Sequence, residues 1–192
     1  MSAPRLIVGI TGATGAIYGI RLLERLSERD IETHLILSPW GKRTIEHETD
    51  YTVERVQGLA SSVNSYNDLA AAISSGSFVT AGMIVAPCSV KTLASISHGF
   101  ADNLISRAAD VVLKERRRLV LLVRETPLSE VHLENMLRLA RMGVVVMPPM
   151  PAFYNHPKDI AQLVDNTVAR ALDQLEIPAP WAKRWDGRLR RR

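Results

Sequence analysis

An arginine and a glutamate follow directly on five consecutive apolar residues. Leu119-Val120-Leu121-Leu122-Val123 reads as a buried parallel strand, and Arg124-Glu125-Thr126-Pro127 comes next. Ligands of open α/β sheets bind just beyond the carboxyl ends of the strands. A cation and a carboxylate fixed at that place offer an anion holder beside an acid/base. Ser129 to Met136 then opens a helix. The bland alternative for the pair is an ion pair or a helix cap.

Three further groups of residues have types and spacing suited to chemistry. Gly9-Ile10-Thr11-Gly12-Ala13-Thr14-Gly15 has the order strand, glycine turn, helix, which presents backbone N–H groups and a helix N-terminus to a phosphate. Its spacing is G-x-x-G-x-x-G, not the dinucleotide G-x-G-x-x-G. Ser38, not an acidic residue, ends the second strand where a ribose contact is expected, which favours a mononucleotide such as FMN over NAD. A tight βα turn with no ligand is the alternative. In Ala86-Pro87-Cys88-Ser89-Val90-Lys91-Thr92-Leu93, Ser89 and Thr92 suit a phosphate or flavin edge and Lys91 adds charge. Cys88 has no legible histidine partner and reads as a small buried residue. The loop Pro148 to Pro157 carries Phe153 and Tyr154 and precedes Arg170 on the next helix; it can wall an apolar pocket or simply pack on the surface. Lys114 ends a helix, where a cation meets the dipole favourably. His132 and His156 have no second ligand at a chelating spacing, so no metal is expected.

Short apolar strands hold these groups in place. They are expected at 7–10, 33–37, 83–86, 119–123 and 144–147. Helical spacing is expected at 16–29, 40–48, 89–98, 102–115, 129–141 and 159–175, with 49–77 weakly patterned. Alternating strands and helices predict an α/β fold: one Rossmann-like (flavodoxin-like) domain, a parallel sheet with helices on both faces. The chain has 192 residues and 46% hydrophobic content, which suits one flavin-binding domain over 1–176 and a basic C-terminal tail over 177–192. No apolar run approaches the ~18 residues needed to span a bilayer. The strand-like start leaves no room for a signal peptide, so the cytoplasm is expected. One cysteine excludes an internal disulfide and a cysteine-rich metal site. The net charge is +4, yet Lys183 to Arg192 alone carry six Lys/Arg against one Asp, so the rest of the chain sits near −1. A nearly neutral body with a basic end carries no nucleic-acid footprint.

Taken together, the residues resemble the flavin prenyltransferase family, the UbiX/Pad-type proteins once described as components of phenolic or hydroxybenzoate decarboxylases. The matching stretches are Gly9 to Ala16, Pro87 to Leu93, Asp102 to Leu104, Arg107 to Glu115, Arg124 to Leu128, His132 to Met136 and Pro151 to Tyr154. The resemblance implies transfer of a dimethylallyl group from dimethylallyl phosphate to N5 and then C6 of reduced FMN. The prenylated FMN is the cofactor of a partner UbiD-type decarboxylase. The resemblance also implies no metal, and dodecamers with sites at the boundaries between protomers. It puts FMN contacts on Gly12, Ala13, Thr14, Ser38, Ser89, Val90, Lys91, Thr92 and Arg124. Donor contacts fall on Lys114, Arg124, Glu125, Tyr154 and Arg170. Glu125 is the implied main acid/base, Glu48 a second acidic position, and Lys114 and Thr14 assist; many members have serine where this chain has Thr14. Two other readings remain: a non-catalytic flavin-binding subunit of a decarboxylase, and an FMN-dependent cysteine-type decarboxylase. The latter group carries a P-A-S-A-N-T-like segment in place of Pro87 to Thr92.

Overall fold

The computed structural model describes residues 3–185 and 187. Six strands form one parallel sheet: β1 (Arg5–Ile10), β2 (Glu32–Leu37), β3 (Ser62–Asn64), β4 (Gly82–Cys88), β5 (Arg118–Val123) and β6 (Val145–Val146). The helices between them are α1 (Ala16–Ser27), α2 (Pro39–Glu48), α3 (Val53–Gln57), α4 (Val90–His98), α5 (Leu104–Lys114) and α6 (Glu130–Arg141), with α7 (Ile160–Asp173) last. The strand order is β3-β2-β1-β4-β5-β6. The chain builds outward from β1 in one direction and then restarts at β4 in the other. The order therefore reverses between β1 and β4, which opens a crevice at their carboxyl ends.

Alternation along each strand explains why near-continuous apolar runs are needed. Val120 and Leu122 of β5 join Val8, Ile10, Ile84 and the inward faces of α1 and α7. Leu119, Leu121 and Val123 point the other way, into Leu93, Ile105, Val112 and Leu139 of α4, α5 and α6. Both faces of the strand are dry, so both sets of positions must be apolar.

Polar contacts fix α1 against α7. Arg21 donates to both carboxylate oxygens of Asp165 at 2.9 Å, and Arg25 adds a bond of 2.7 Å. Burial alone pushes the Asp165 carboxyl up, but Arg21 and Arg25 outweigh it and hold it below the usual aspartate range.

The expected elements are present, with local differences. The segment 49–77 holds α3, β3 and a single 3-10 turn at Ala72–Ser74. A three-residue strand is too short to show an alternating pattern. Pro87 does not end its strand: β4 continues to Cys88 through a register shift after Val85. A bulge is where a proline can sit inside a sheet. Past 176 the chain stays docked as far as it is described. Ala179 is buried, and the Trp181 ring lies 4.8 Å from the Arg25 guanidinium and 5.1 Å from that of Arg29.

Candidate active site

The glycine turn after β1 is shaped by two constraints. Gly15 has φ 92 and caps α1 with no side-chain bond of its own. That φ is left-handed and favours glycine. At Gly12 a Cβ would collide with the Cβ of Trp40, so the turn lies directly against α2. The free N–H groups at the start of α1 are met by the neighbouring helix α2. Glu48, the last residue of α2, accepts Gly15 N–H at 2.7 Å and Ala16 N–H at 3.3 Å on Oε2. Its Oε1 makes no hydrogen bond among the described residues. Ala13 is buried here and Thr14 is exposed.

Across the switch point stands the start of α4. Ser89 is its N-cap, accepting Thr92 N–H at 3.3 Å and donating its hydroxyl to Thr92 Oγ1 at 3.1 Å. Val90 and Lys91 occupy the first turn. Thr11 joins the two sides. Its hydroxyl donates to the Pro87 carbonyl at 2.8 Å and accepts Ser89 N–H at 2.8 Å. Ser38 caps α2, accepting Gly41 N–H at 2.9 Å. Three helix N-termini, each rich in N–H and hydroxyl groups, therefore converge on one crevice.

Arg124 closes the far side. Its N–H donates to the Cys88 carbonyl at 3.0 Å, extending the β4–β5 ladder by one bond. The side chain is half-buried and forms no ion pair among the described residues. It faces Tyr18, whose phenol burial pushes up while the Arg124 charge pulls it down. Glu125 is exposed, with Oε1 accepting Thr126 N–H at 3.1 Å. The buried Cys88 thiol is pushed well above its usual range by desolvation, so it is no nucleophile.

A second concavity of about 620 Å³ runs along α7 over the β6 edge. Tyr154 and Arg170 line it together, with Asn155 and the C-terminal residues Lys183, Arg184 and Trp185. The Tyr154 and Trp185 rings meet edge to face at 6.1 Å between centroids.

The Flavoprotein family profile matches residues 1–172. The chain is 61% identical to a probable UbiX-like flavin prenyltransferase of Bacillus subtilis (strain 168), over 95% of this chain and 90% of that protein. This chain belongs to the UbiX-like flavin prenyltransferases. Two solved structures agree closely in shape. A dodecameric FMN-dependent UbiX-like decarboxylase from Escherichia coli O157:H7 superposes with a TM-score of 0.94 at 59% identity, covering 95% of this chain and all of that one. AnUbiX (PadA1), solved with FMN and dimethylallyl pyrophosphate, gives 0.96 at 53% identity, covering 97% and 100%.

The residues present fit the FMN of this family. Helix N-termini and hydroxyls suit its phosphate and polar chain, a lone guanidinium suits a further anionic or carbonyl oxygen, and β2 ends in Ser38 where a dinucleotide site has an acid. The structure gathers Gly12, Ala13, Thr14, Ser38, Glu48, Ser89 to Thr92, Arg124 and Glu125 around one crevice.

Within one chain the crevice does not gather every residue that the resemblance puts at the site. Lys114 ends α5, and α5 runs back toward the amino end of the sheet. It lies beside Glu115, Arg117 and Arg118 at the start of β5. Six β5 residues at about 3.3 Å each put that end about 20 Å from Arg124. Arg170 is in the last turn of α7, about 15 Å along that helix from its start, at the level of Val145 and away from the crevice. The resemblance assigned these side chains to the donor; helix direction decides which end of the sheet they reach. Sequence reasoning also missed Thr11, whose only signal is a hydroxyl residue at the strand-to-turn junction.

Proposed function

We propose that the protein joins the dimethylallyl group of dimethylallyl phosphate to N5 and C6 of reduced FMN, and that the prenylated FMN passes to a UbiD-type decarboxylase. Arg124 carries this reading: a half-buried guanidinium without a carboxylate partner among the described residues, at the switch point, opposite the hydroxyl-rich start of α4. A cation so placed calls for an anionic ligand.

The hard step is cleavage of an allylic C–O bond, with charge growing on the leaving phosphate. Arg124, Lys114, Arg170 and the Tyr154 phenol serve that charge as preorganised donors. The reduced isoalloxazine ring supplies the electron-rich face that captures the allyl group. Glu125, in reach of the crevice mouth, accepts the proton lost at the flavin; Glu48 offers its unengaged Oε1 as a second acceptor. Glu48 stands on the β1 side of the crevice, at the glycine turn, and Glu125 follows β5 on the other. Thr14 keeps the hydroxyl of the family's serine beside Glu48.

Lys114, about 20 Å from Arg124 within one chain, and Arg170, in the last turn of α7, are placed to serve the crevice of another copy. We therefore propose that the site is assembled between protomers of a homo-oligomer, a dodecamer as in the E. coli O157:H7 relative. No described helix is long and apolar enough to cross a membrane. With a lone buried thiol as its only cysteine, the protein suits the reducing cytoplasm.

The test is to mix the protein with reduced FMN and dimethylallyl phosphate and weigh the flavin. A five-carbon gain is expected. An unchanged flavin overturns the proposal in favour of a flavin-binding subunit, and carbon dioxide from a cysteinyl substrate would favour the cysteine-type decarboxylase.

A further inference from the structure

Asp173 lies one turn after Arg170 on α7, in easy reach of it. Left to themselves the two form an i,i+3 pair, and Arg170 spends its charge on its own helix. The C-terminal segment changes that balance. Arg184 grips both carboxylate oxygens of Asp173, with its Nη2 donating to Oδ1 at 2.7 Å and its Nη1 bonded to Oδ2. Arg170 keeps one bond, Nη1 to Oδ2 at 2.8 Å, and its side chain remains 60% exposed toward the 620 Å³ cleft. The Arg184 bonds are the foremost cause holding the Asp173 carboxyl below its usual range, ahead of those of Arg170. Lys183 lines the same cleft as Arg170 and Arg184.

We propose that Arg184 is a positioning residue of the donor site: by gripping both Asp173 carboxylate oxygens it limits Arg170 to a single bond there and leaves the rest of its guanidinium available to the donor's phosphate. The segment is built to deliver it. Trp181 sits against the guanidiniums of Arg25 and Arg29, and Trp185 meets Tyr154, so Arg184 is held from both sides. The device rests on the donor-site reading of Tyr154 and Arg170 given above. Because a carboxylate and a phosphate compete for the same fork of N–H donors, satisfying the first elsewhere raises affinity for the second.

Three variants of the FMN-loaded protein test it by calorimetry, with inorganic phosphate and dimethylallyl phosphate as probes. Arg184→Ala is expected to weaken binding of both about tenfold and to raise KM for the donor with kcat largely kept. Asp173→Asn, which removes the competitor, binds at least as tightly as the unaltered protein. The double variant returns to within about threefold of it. Were Arg184 only a clasp for the C-terminal segment, Asp173→Asn and the double variant would be as weak as Arg184→Ala, and the inference fails. Equal binding by Arg184→Ala and the unaltered protein also overturns it. The flavin mass assay stands apart: loss of prenyl transfer in the unaltered protein defeats the donor-site reading itself, whatever the variants do.

Discussion

Glu48 Oε2 accepts the Gly15 N–H at 2.7 Å, tying the end of α2 to the start of α1. A carboxylate at a helix N-terminus meets both unpaired N–H groups and the positive end of the dipole. One oxygen therefore shapes the glycine turn, and the other is the one assigned to proton transfer in the proposed reaction. The two roles separate by substitution. Glu48→Ala should lower stability by about 1 kcal/mol, roughly 2–4 °C in Tm. Glu48→Gln keeps an acceptor oxygen and should hold Tm nearer the unaltered value while slowing prenyl transfer. Thermal melts beside flavin mass decide; a Gln variant of full activity removes Glu48 from proton transfer.

Arg124 is expected to govern flavin affinity. A lost charge-assisted contact costs about 1.5–3 kcal/mol, so Arg124→Ala should bind FMN at least tenfold more weakly. Arg124→Lys should fall between, since a point charge replaces a planar fork. Fluorescence titration of FMN measures this. An Ala variant with unchanged affinity would show that the guanidinium does not touch the flavin.

Much of this arrangement was legible in the sequence. The runs at 119–123 and 83–86 are apolar at every position because both faces of β5 and β4 are covered, and turn residues mark their ends. Gly12 to Gly15, Ser89 to Thr92 and Arg124-Glu125 follow strands and so fall together at the carboxyl edge, as parallel topology demands. Lys114 and Arg170 lie in the last turns of α5 and α7, helices that run back from the carboxyl edge toward the opposite one. Sequence order could pair them with Arg124 chemically, but not spatially. The short β3 and the Arg184–Asp173 contact were hidden for another reason. Neither leaves a periodic trace, and the basic run from Lys183 onward looks like any solvated tail.

The α1–α7 clasp should respond to acid. The folded Asp165 carboxyl lies below its ordinary pKa of about 3.9, so its stabilising effect is complete above that pH and is lost as pH falls through the lowered folded value. Asp165→Asn should cost on the order of 1–2 kcal/mol at neutral pH, after allowing for solvent screening, and should flatten the acid limb of the Tm profile. Identical acid limbs in the two proteins would assign acid sensitivity to other groups.

Sites shared between protomers predict complementation. Lys114→Ala and Glu125→Gln should each be impaired, because one lacks the donated cation and the other the acceptor at the crevice. In hybrids formed by co-expression, some crevices come from the Lys114→Ala chain and receive Lys114 from the Glu125→Gln chain. Random mixing makes about one site in four intact, so about a quarter of the unaltered activity should return. Mixing the two purified oligomers without exchange of protomers should restore nothing. If co-expressed hybrids are as inactive as their parents, Lys114 serves the chain that carries it, or none, and the separation of about 20 Å within one protomer argues for none.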